Sequence, residues 1–390
     1  MWWRSISTLV DLYATTERGI EDLVIEDLKK EFGIQAKFIG LRGKVFFKED
    51  HERIFWLNFS ARSINRVILL LGLEEVETLQ DIKRVVNSID WGEFIFPEQS
   101  FAVRAERVGK HDFTSLDIAR EVGATIIDNV KETRGMKPRV NLNSPDVIVS
   151  TELIHNRFII GIDTTGLSLH IRRYRTYNHP MPLRTTLAYI LVKVSQWQDT
   201  EILLDPTCGG GTIPIEAALY ARKIPSVKFR KGEYALFRLK FFDTEEIEKV
   251  REKALNEMDL AKKLNLHGLD INPRHVKGAL KNAMSAGVSD TIKFQVGDAE
   301  KLLDSFEEET VNVIVSNPPY KLPNKRRLSK LYHNLIKNAL KVLTEGGRCA
   351  IITSEIGLTK RILEAMGIEF VMRKIFRYGS LDTGIFTFKK

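Results

Sequence analysis

The chain has 390 residues, 43% hydrophobic and 28% charged, with a net charge of +8 at pH 7, the make-up of a soluble globular protein with room for two or three domains. Its two cysteines, Cys208 and Cys349, exclude a disulfide scaffold and a cysteine-based zinc site, and apolar runs such as Val67–Leu71 are far too short to cross a bilayer. The charge is one-sided: residues 1–180 carry 25 Lys and Arg against 26 Asp and Glu, residues 181–390 carry 34 against 25, so a polyanionic partner is expected on the second half.

At the N-terminus Trp2 and Trp3 are followed by Arg4 and Asp11, which interrupt any signal-like core; a cytoplasmic protein and a monomer are the expectations. Residues 1–60 read as strand, helix and strand. Ile20, Leu23, Val24 and Leu28 recur at helical spacing, and 38–47 reads as a hairpin around Arg42-Gly43. Residues 61–165 read as a second α+β unit, with a strand at 101–104, a helix at 115–130 capped by Ser115 with Asp117 in its first turn, and strands at 145–149 and 158–163. Residues 166–184 read as a linker in which Arg172, Arg173 and Arg175 are interleaved with Tyr174, Tyr177 and His179, a mixture suited to a phosphate backbone and bases, or to a clamp between domains.

From residue 185 strands and helices alternate. Strands are expected at 200–204, 266–269, 292–296, 311–316 and 348–353, helices at 273–284 and 329–343, and a closing antiparallel hairpin at 374–378 and 384–388. This rhythm predicts an α/β domain built on a parallel sheet with helices on both faces. The gap between Asp205 and Asp270 is long for such a fold, so about 220–262 reads as an insertion. It carries Arg222, Lys223, Lys228, Arg230, Lys231, Arg238 and Lys240.

The chemistry gathers at strand ends, where open α/β sheets bind ligands. Asp205 ends the first strand and precedes Pro206-Thr207-Cys208-Gly209-Gly210-Gly211-Thr212, a turn whose glycines let backbone approach a ligand. No Gly-Lys-Ser/Thr follows, so it is not a P-loop. Asp270 ends the second strand, where a carboxylate can accept from ribose hydroxyls, and Asp298 the third, where it can accept from an adenine amino group. Asn317-Pro318-Pro319-Tyr320 leaves the fourth as a stiff extended loop. Its amide oxygen and Pro318 carbonyl can accept both hydrogens of one exocyclic amine, and its ring can stack on the base. Lys325, Arg326 and Arg327 follow, as expected beside a nucleic-acid substrate. The eight His show no ligand spacing, so no metal is expected.

Asp-Pro-x-Cys-Gly-x-Gly-Thr, Asp-x-Asn-Pro and Asn-Pro-Pro-Tyr in this order resemble class I S-adenosylmethionine-dependent methyltransferases of exocyclic amines. Residues 61–165 resemble a THUMP RNA-binding domain, 1–60 its ferredoxin-like companion, and 166–175 the junction of THUMP-bearing RNA methyltransferases. Within that family the chain is most similar to archaeal tRNA guanine-N2 methyltransferases that modify position 6 of the acceptor stem. The resemblance implies a C-terminal Rossmann-like methyltransferase domain at 185–390, preceded by ferredoxin-like and THUMP domains. It implies S-adenosylmethionine as cofactor and tRNA as partner. Asp205, Gly209, Gly210, Gly211, Asp270, Asp298, Ala299 and Asn317 would hold the cofactor under a lid formed by His179, Pro180, Met181 and Pro182. Asn317, Pro318 and Tyr320 would hold the target base, and Arg172, Arg173, Arg175, Lys325, Arg326 and Arg327 the RNA. Lys321 departs from the family pattern, where Gly is frequent. Guanosine 10 of tRNA, adenine N6 of rRNA or DNA, and a non-catalytic RNA-binding module stay open as alternatives.

Overall fold

A computed structural model describes residues 9–230 and 232–390; Trp2, Trp3, Arg4 and Lys231 lie outside the described residues. The chain divides into two units. One takes the chain up to Thr16, Leu28–Leu169 and Arg230–Asn256; the other takes Glu17–Asp27, His170–Phe229 and Glu257–Lys390.

The first unit contains β1 (Val10–Thr15), β2 (Lys44–Glu49), α2 (His51–Ser60), β3 (Arg66–Glu75), α3 (Leu79–Asn87), β4 (Ser100–Val108), α4 (Ser115–Arg134), β5 (Arg139–Val140), β6 (Val147–Ile154) and β7 (Arg157–Asp163), while α1 (Glu21–Phe32) follows β1. The strands form one sheet in the order β2-β1-β3-β7-β6-β4-β5. It runs unbroken across residues 60 and 61, because β3 pairs with β1 on one side and β7 on the other. The expected hairpin at 38–47 is reduced to one bridge, Lys37 to Phe46; β2 pairs instead with β1, which gives its apolar residues a sheet to join. The cap of α4 is Thr114, one residue before the expected Ser115. Its backbone is extended, and its hydroxyl and the Asp117 carboxylate close a reciprocal capping box.

The insertion has a destination that its basic composition conceals. Within the first unit α7 (Thr244–Asn256) packs on α2. Phe242 meets Phe55 edge-on at 4.9 Å, Lys253 sits 5.2 Å from the Trp56 ring, and His51 Nε2 lies 3.1 Å from Glu246 Oε2. The backbone joins in: the amides of Ala235 and Leu236 donate to the carbonyls of Thr165 and Thr164.

The second unit contains α5 (Thr185–Val194), β8 (Leu203–Asp205), α6 (Thr212–Ala221), β9 (Leu266–Asp270), α8 (Pro273–Ala286), β10 (Ile292–Val296), β11 (Val311–Ser316), α9 (Lys325–Val342), β12 (Leu343–Thr353), α10 (Ile356–Ala365), β13 (Phe370–Tyr378) and β14 (Leu381–Lys389). Its sheet runs β10-β9-β8-β11-β12-β14-β13. The first five strands are parallel, and β14 is antiparallel to both neighbours, so the C-terminal hairpin closes one edge as the sequence suggested. The central strands β8 and β11 read as apolar runs because both their faces are covered. Leu204, Ile314, Ile351 and Phe386 pack with Tyr332, Ile336 and Leu363 of α9 and α10 in one core. The strands that end in Asp270, Asp205 and Ser316 are consecutive neighbours, so their carboxyl ends share one rim.

Candidate functional site

At that rim lies a cavity of about 380 Å³. Asp205, Gly209, Gly210, Asp270, Asp298, Ala299, Asn317, Pro318 and Tyr320 all line it, with His179, Met181 and Pro182 from the linker. Loops after four strands, spread over more than a hundred residues of sequence, therefore supply one site together with the linker, as the strand order demands.

The turn after β8 is held in shape by its neighbours. The Cys208 amide donates to the Leu269 carbonyl at 2.7 Å, and Thr207 Oγ1 lies 2.8 Å from Ser316 Oγ at the end of β11. Gly211 begins α6 at φ +77°, and a Cβ there would stand 2.8 Å from the Phe294 ring. It serves the turn and its packing rather than the cavity, which it does not line. Pro180 is likewise absent from the lining and exposed.

Four carboxylates line this space, those of Asp205, Asp270, Asp298 and Glu300. Asp205 is 2% exposed; burial lifts its carboxyl well above the ordinary carboxylate range, the nearby Asp270 charge pushes the same way, and the Thr207 amide opposes them. Asp270 accepts from the amides of Gly209 at 3.0 Å and Asn272 at 2.8 Å, and its Oδ1 lies 3.2 Å from His275 Nδ1. His275 in turn meets His179 edge-on at 4.4 Å. Burial lowers the His179 imidazole below its ordinary value, and His275 adds to this, so the ring is neutral near pH 7. Burial also raises the Cys208 thiol well above its usual value, which keeps it protonated and unreactive.

The linker is clamped from beneath by a residue that the sequence reading missed. Asn282, 2% exposed on α8, accepts from the Tyr177 amide at 2.8 Å and donates to the carbonyls of Tyr177 at 3.2 Å and Gly210 at 2.9 Å. One side chain thus ties the lid segment to the glycine turn. The Tyr177 ring lies so close to Gly278 that a Cβ there would meet it at 2.2 Å. His275 and Glu300, also missed, line the cavity together with Ile271, Leu322 and Leu331.

The expected RNA contacts divide. Arg172 is 1% exposed; its Nε lies 3.6 Å from Glu216 Oε1, which also accepts from the Tyr174 hydroxyl at 2.8 Å. A buried glutamate on α6 calls for a cation and hydrogen-bond donors, so Arg172 answers Glu216 and is removed from the list of RNA contacts. Arg175 is half-buried and donates to the Leu183 carbonyl and to Thr212 Oγ1, fastening the linker to α6. Arg173, Lys325 and Arg326 are exposed. Arg327 lines the cavity and pairs with Glu300. Among the described residues no group of three or more His, Cys, Asp or Glu could hold a metal ion, and no helix is long and apolar enough to cross a membrane.

Residues 172–383 match the family described as RMKL-like, methyltransferase domain, and residues 76–163 match the THUMP domain. The chain is 38% identical over 382 residues to the tRNA (guanine(6)-N2)-methyltransferase of Methanocaldococcus jannaschii, covering 97% of this chain and 99% of that protein. It is 36% identical over 387 residues to the protein of the same name from Archaeoglobus fulgidus, covering 98% and 93%. Among solved structures it is similar to that of SMU.472 complexed with SAH, at 25% identity, 98% coverage of both chains and a TM-score of 0.84.

Proposed function

Because the chain belongs to the RMKL-like methyltransferase family and carries a THUMP domain, we propose that it methylates the exocyclic N2 of a guanosine in tRNA, at position 6 of the acceptor stem. The cofactor is S-adenosylmethionine, which when bound supplies an electrophilic methyl group. The observation that carries the reading is the convergence of Asp205, Asp270, Asp298 and Asn317 on one cavity. Its volume of about 380 Å³ falls within the range of small-molecule sites. Gly209 and Gly210 leave their backbone open to a ligand, Ala299, Leu322 and Leu331 offer an apolar slot for a base, and the Asp205 carboxylate suits a cation. The residues present fit the cofactor.

On this reading Asp270 binds ribose hydroxyls and Asp298 the adenine amino group, while Asp205 faces the cationic methionine end. His179, Met181 and Pro182 cover the site and exclude water. The target guanine leaves its stem, at a cost of a few kcal/mol, and stacks on Tyr320, which returns about 1–3 kcal/mol. Asn317 Oδ1 and the Pro318 carbonyl then accept the two N2 hydrogens. This holds the amine in place and turns its lone pair out of the ring toward the electrophile. The nitrogen gains a carbon bond and becomes acidic enough to release its proton to these acceptors or to water, so no dedicated base is required.

Exposed Lys325 and Arg326 beside the target loop, together with the THUMP domain, support an RNA substrate. The names of the two archaeal relatives favour guanosine 6 over guanosine 10, and over the adenine that the same tetrapeptide can hold. The test is methyl incorporation into full-length tRNA transcripts that differ only at position 6. Guanosine there is expected to accept the methyl and adenosine to abolish incorporation. Undiminished incorporation into the adenosine transcript rejects the assigned position.

A further inference from the structure

We infer that Glu300 is a positioning residue that couples the adenosine end of the cavity to the loop bearing Asn317 and Tyr320, so that cofactor and RNA each tighten the binding of the other. The inference rests on the function proposed above and adds a regulation of the same site.

Glu300 follows Asp298 and Ala299 in a 3-10 turn. Its side chain is only 8% exposed and pairs with Arg327. Its second carboxylate oxygen accepts from Asn334 Nδ2 at 2.8 Å, and its backbone carbonyl accepts from Asn338 Nδ2 at 2.9 Å. Arg327, Asn334 and Asn338 stand seven and four residues apart on α9, hence on one face of that helix. One residue of the adenine-side turn is therefore fastened along three turns of the helix that the target loop feeds. That helix begins five residues beyond Tyr320, where Asn324 caps it by accepting from the Arg327 amide at 2.7 Å.

The two fastened elements are also two walls of one slot. Ala299 of the turn and Leu322 and Leu331 of the target loop and α9 all line the cavity. An occupant lodged between them stiffens both. Conformational freedom lost when the first ligand binds need not be lost again for the second, which is positive cooperativity without a large change of shape. The Glu300 to Arg327 and Asn334 bonds carry the coupling because they join the walls directly. A carboxylate this buried also keeps its cation firmly, since parting them strands a charge.

The experiment measures the affinity of S-adenosylhomocysteine, the unreactive product, by calorimetry with and without full-length tRNA. It uses the whole chain and the variants E300Q and R327Q. In the wild type tRNA is expected to tighten binding by about fivefold or more, the lower end of measured site-to-site couplings. In both variants that ratio is expected to fall toward one, whatever their absolute affinities. A purely structural role would weaken binding alike with and without tRNA and leave the ratio intact. An unchanged ratio in the variants, or a wild-type ratio of one, overturns the inference. R327Q serves if E300Q does not fold, because the Arg327 side chain is 44% exposed. Methyl transfer by the wild type is scored separately. Transfer with a ratio of one rejects the coupling alone; a ratio above one without transfer rejects the proposed reaction alone.

Discussion

Replacing Asn282 by Ala removes the clamp between the lid and the glycine turn, and the structure sets the size of the effect. Two of the lost bonds hold the Tyr177 backbone, at 2.8 and 3.2 Å, and one holds the Gly210 carbonyl at 2.9 Å; a fourth, from Thr176 Oγ1 at 3.5 Å, is too long to add much. At about 1 kcal/mol net for each bond, the lid loses about 2 kcal/mol of docking energy and the turn about 1 kcal/mol. Since 1.4 kcal/mol is tenfold in affinity, S-adenosylhomocysteine is expected to bind about 30-fold more weakly. Calorimetry of the ligand, alongside urea denaturation of the free protein, separates loss of the lid from loss of the fold. Asn282→Asp sharpens the test, because a carboxylate still accepts from the Tyr177 amide but cannot donate to either carbonyl. It is expected to bind no better than the Ala variant. An affinity within about threefold of wild type for either folded variant, less than one net hydrogen bond is worth, refutes the clamp.

Asn317→Ala is expected to lower the rate of transfer by about 10²–10³, the loss seen when one preorganised polar contact to a reacting group is removed, with cofactor affinity nearly unchanged; single-turnover kinetics with separate binding measurements checks this. Asp205 carries a pH signature. Its raised carboxyl remains protonated in the free protein where an exposed aspartate has ionised, so folding stability falls as pH rises from the ordinary aspartate value through the raised one. A cation beside it favours the carboxylate, so cofactor binding is expected to release a proton and to tighten with rising pH over that window; calorimetry in buffers of different ionisation enthalpy reads the release, and Asp205→Asn should abolish it. Replacing both Lys325 and Arg326 by Ala is expected to raise KM for tRNA with little change in kcat, and to flatten the salt dependence of binding by about two counterions at roughly 0.9 each.

The strand ends were readable because each short strand ends in or is closely followed by an acid or by Asn317, a pattern that parallel topology brings to one rim. The antiparallel closing hairpin was readable from two short β-prone runs, 374–378 and 384–388, close together at the end of the chain. What stayed hidden depends on partners far along the chain. Arg172 has the look of a solvated linker arginine until Glu216, forty-four residues on, is found buried against it. Asn282 and Glu300 sit within or beside helices where polar residues normally face water, and only the fold shows what they grip. The insertion announces itself by its cationic residues, yet its aromatic ones, Phe237, Phe241 and Phe242, determine where it packs. Gly211 and Pro180 belong to the right segments, but Gly211 serves the turn of the chain and Pro180 faces outward, and neither lines the cavity.

The central claim is that this cavity delivers a methyl group to the exocyclic nitrogen of a guanosine. Mass spectrometry of nuclease-digested tRNA, after incubation with the protein and isotope-labelled S-adenosylmethionine, tests it most directly. The expected product is labelled N2-methylguanosine, formed about 10²–10³ times more slowly when Asn317 is Ala. Label on adenosine N6, or guanosine methylation at an undiminished rate after the loss of Asn317, contradicts the account.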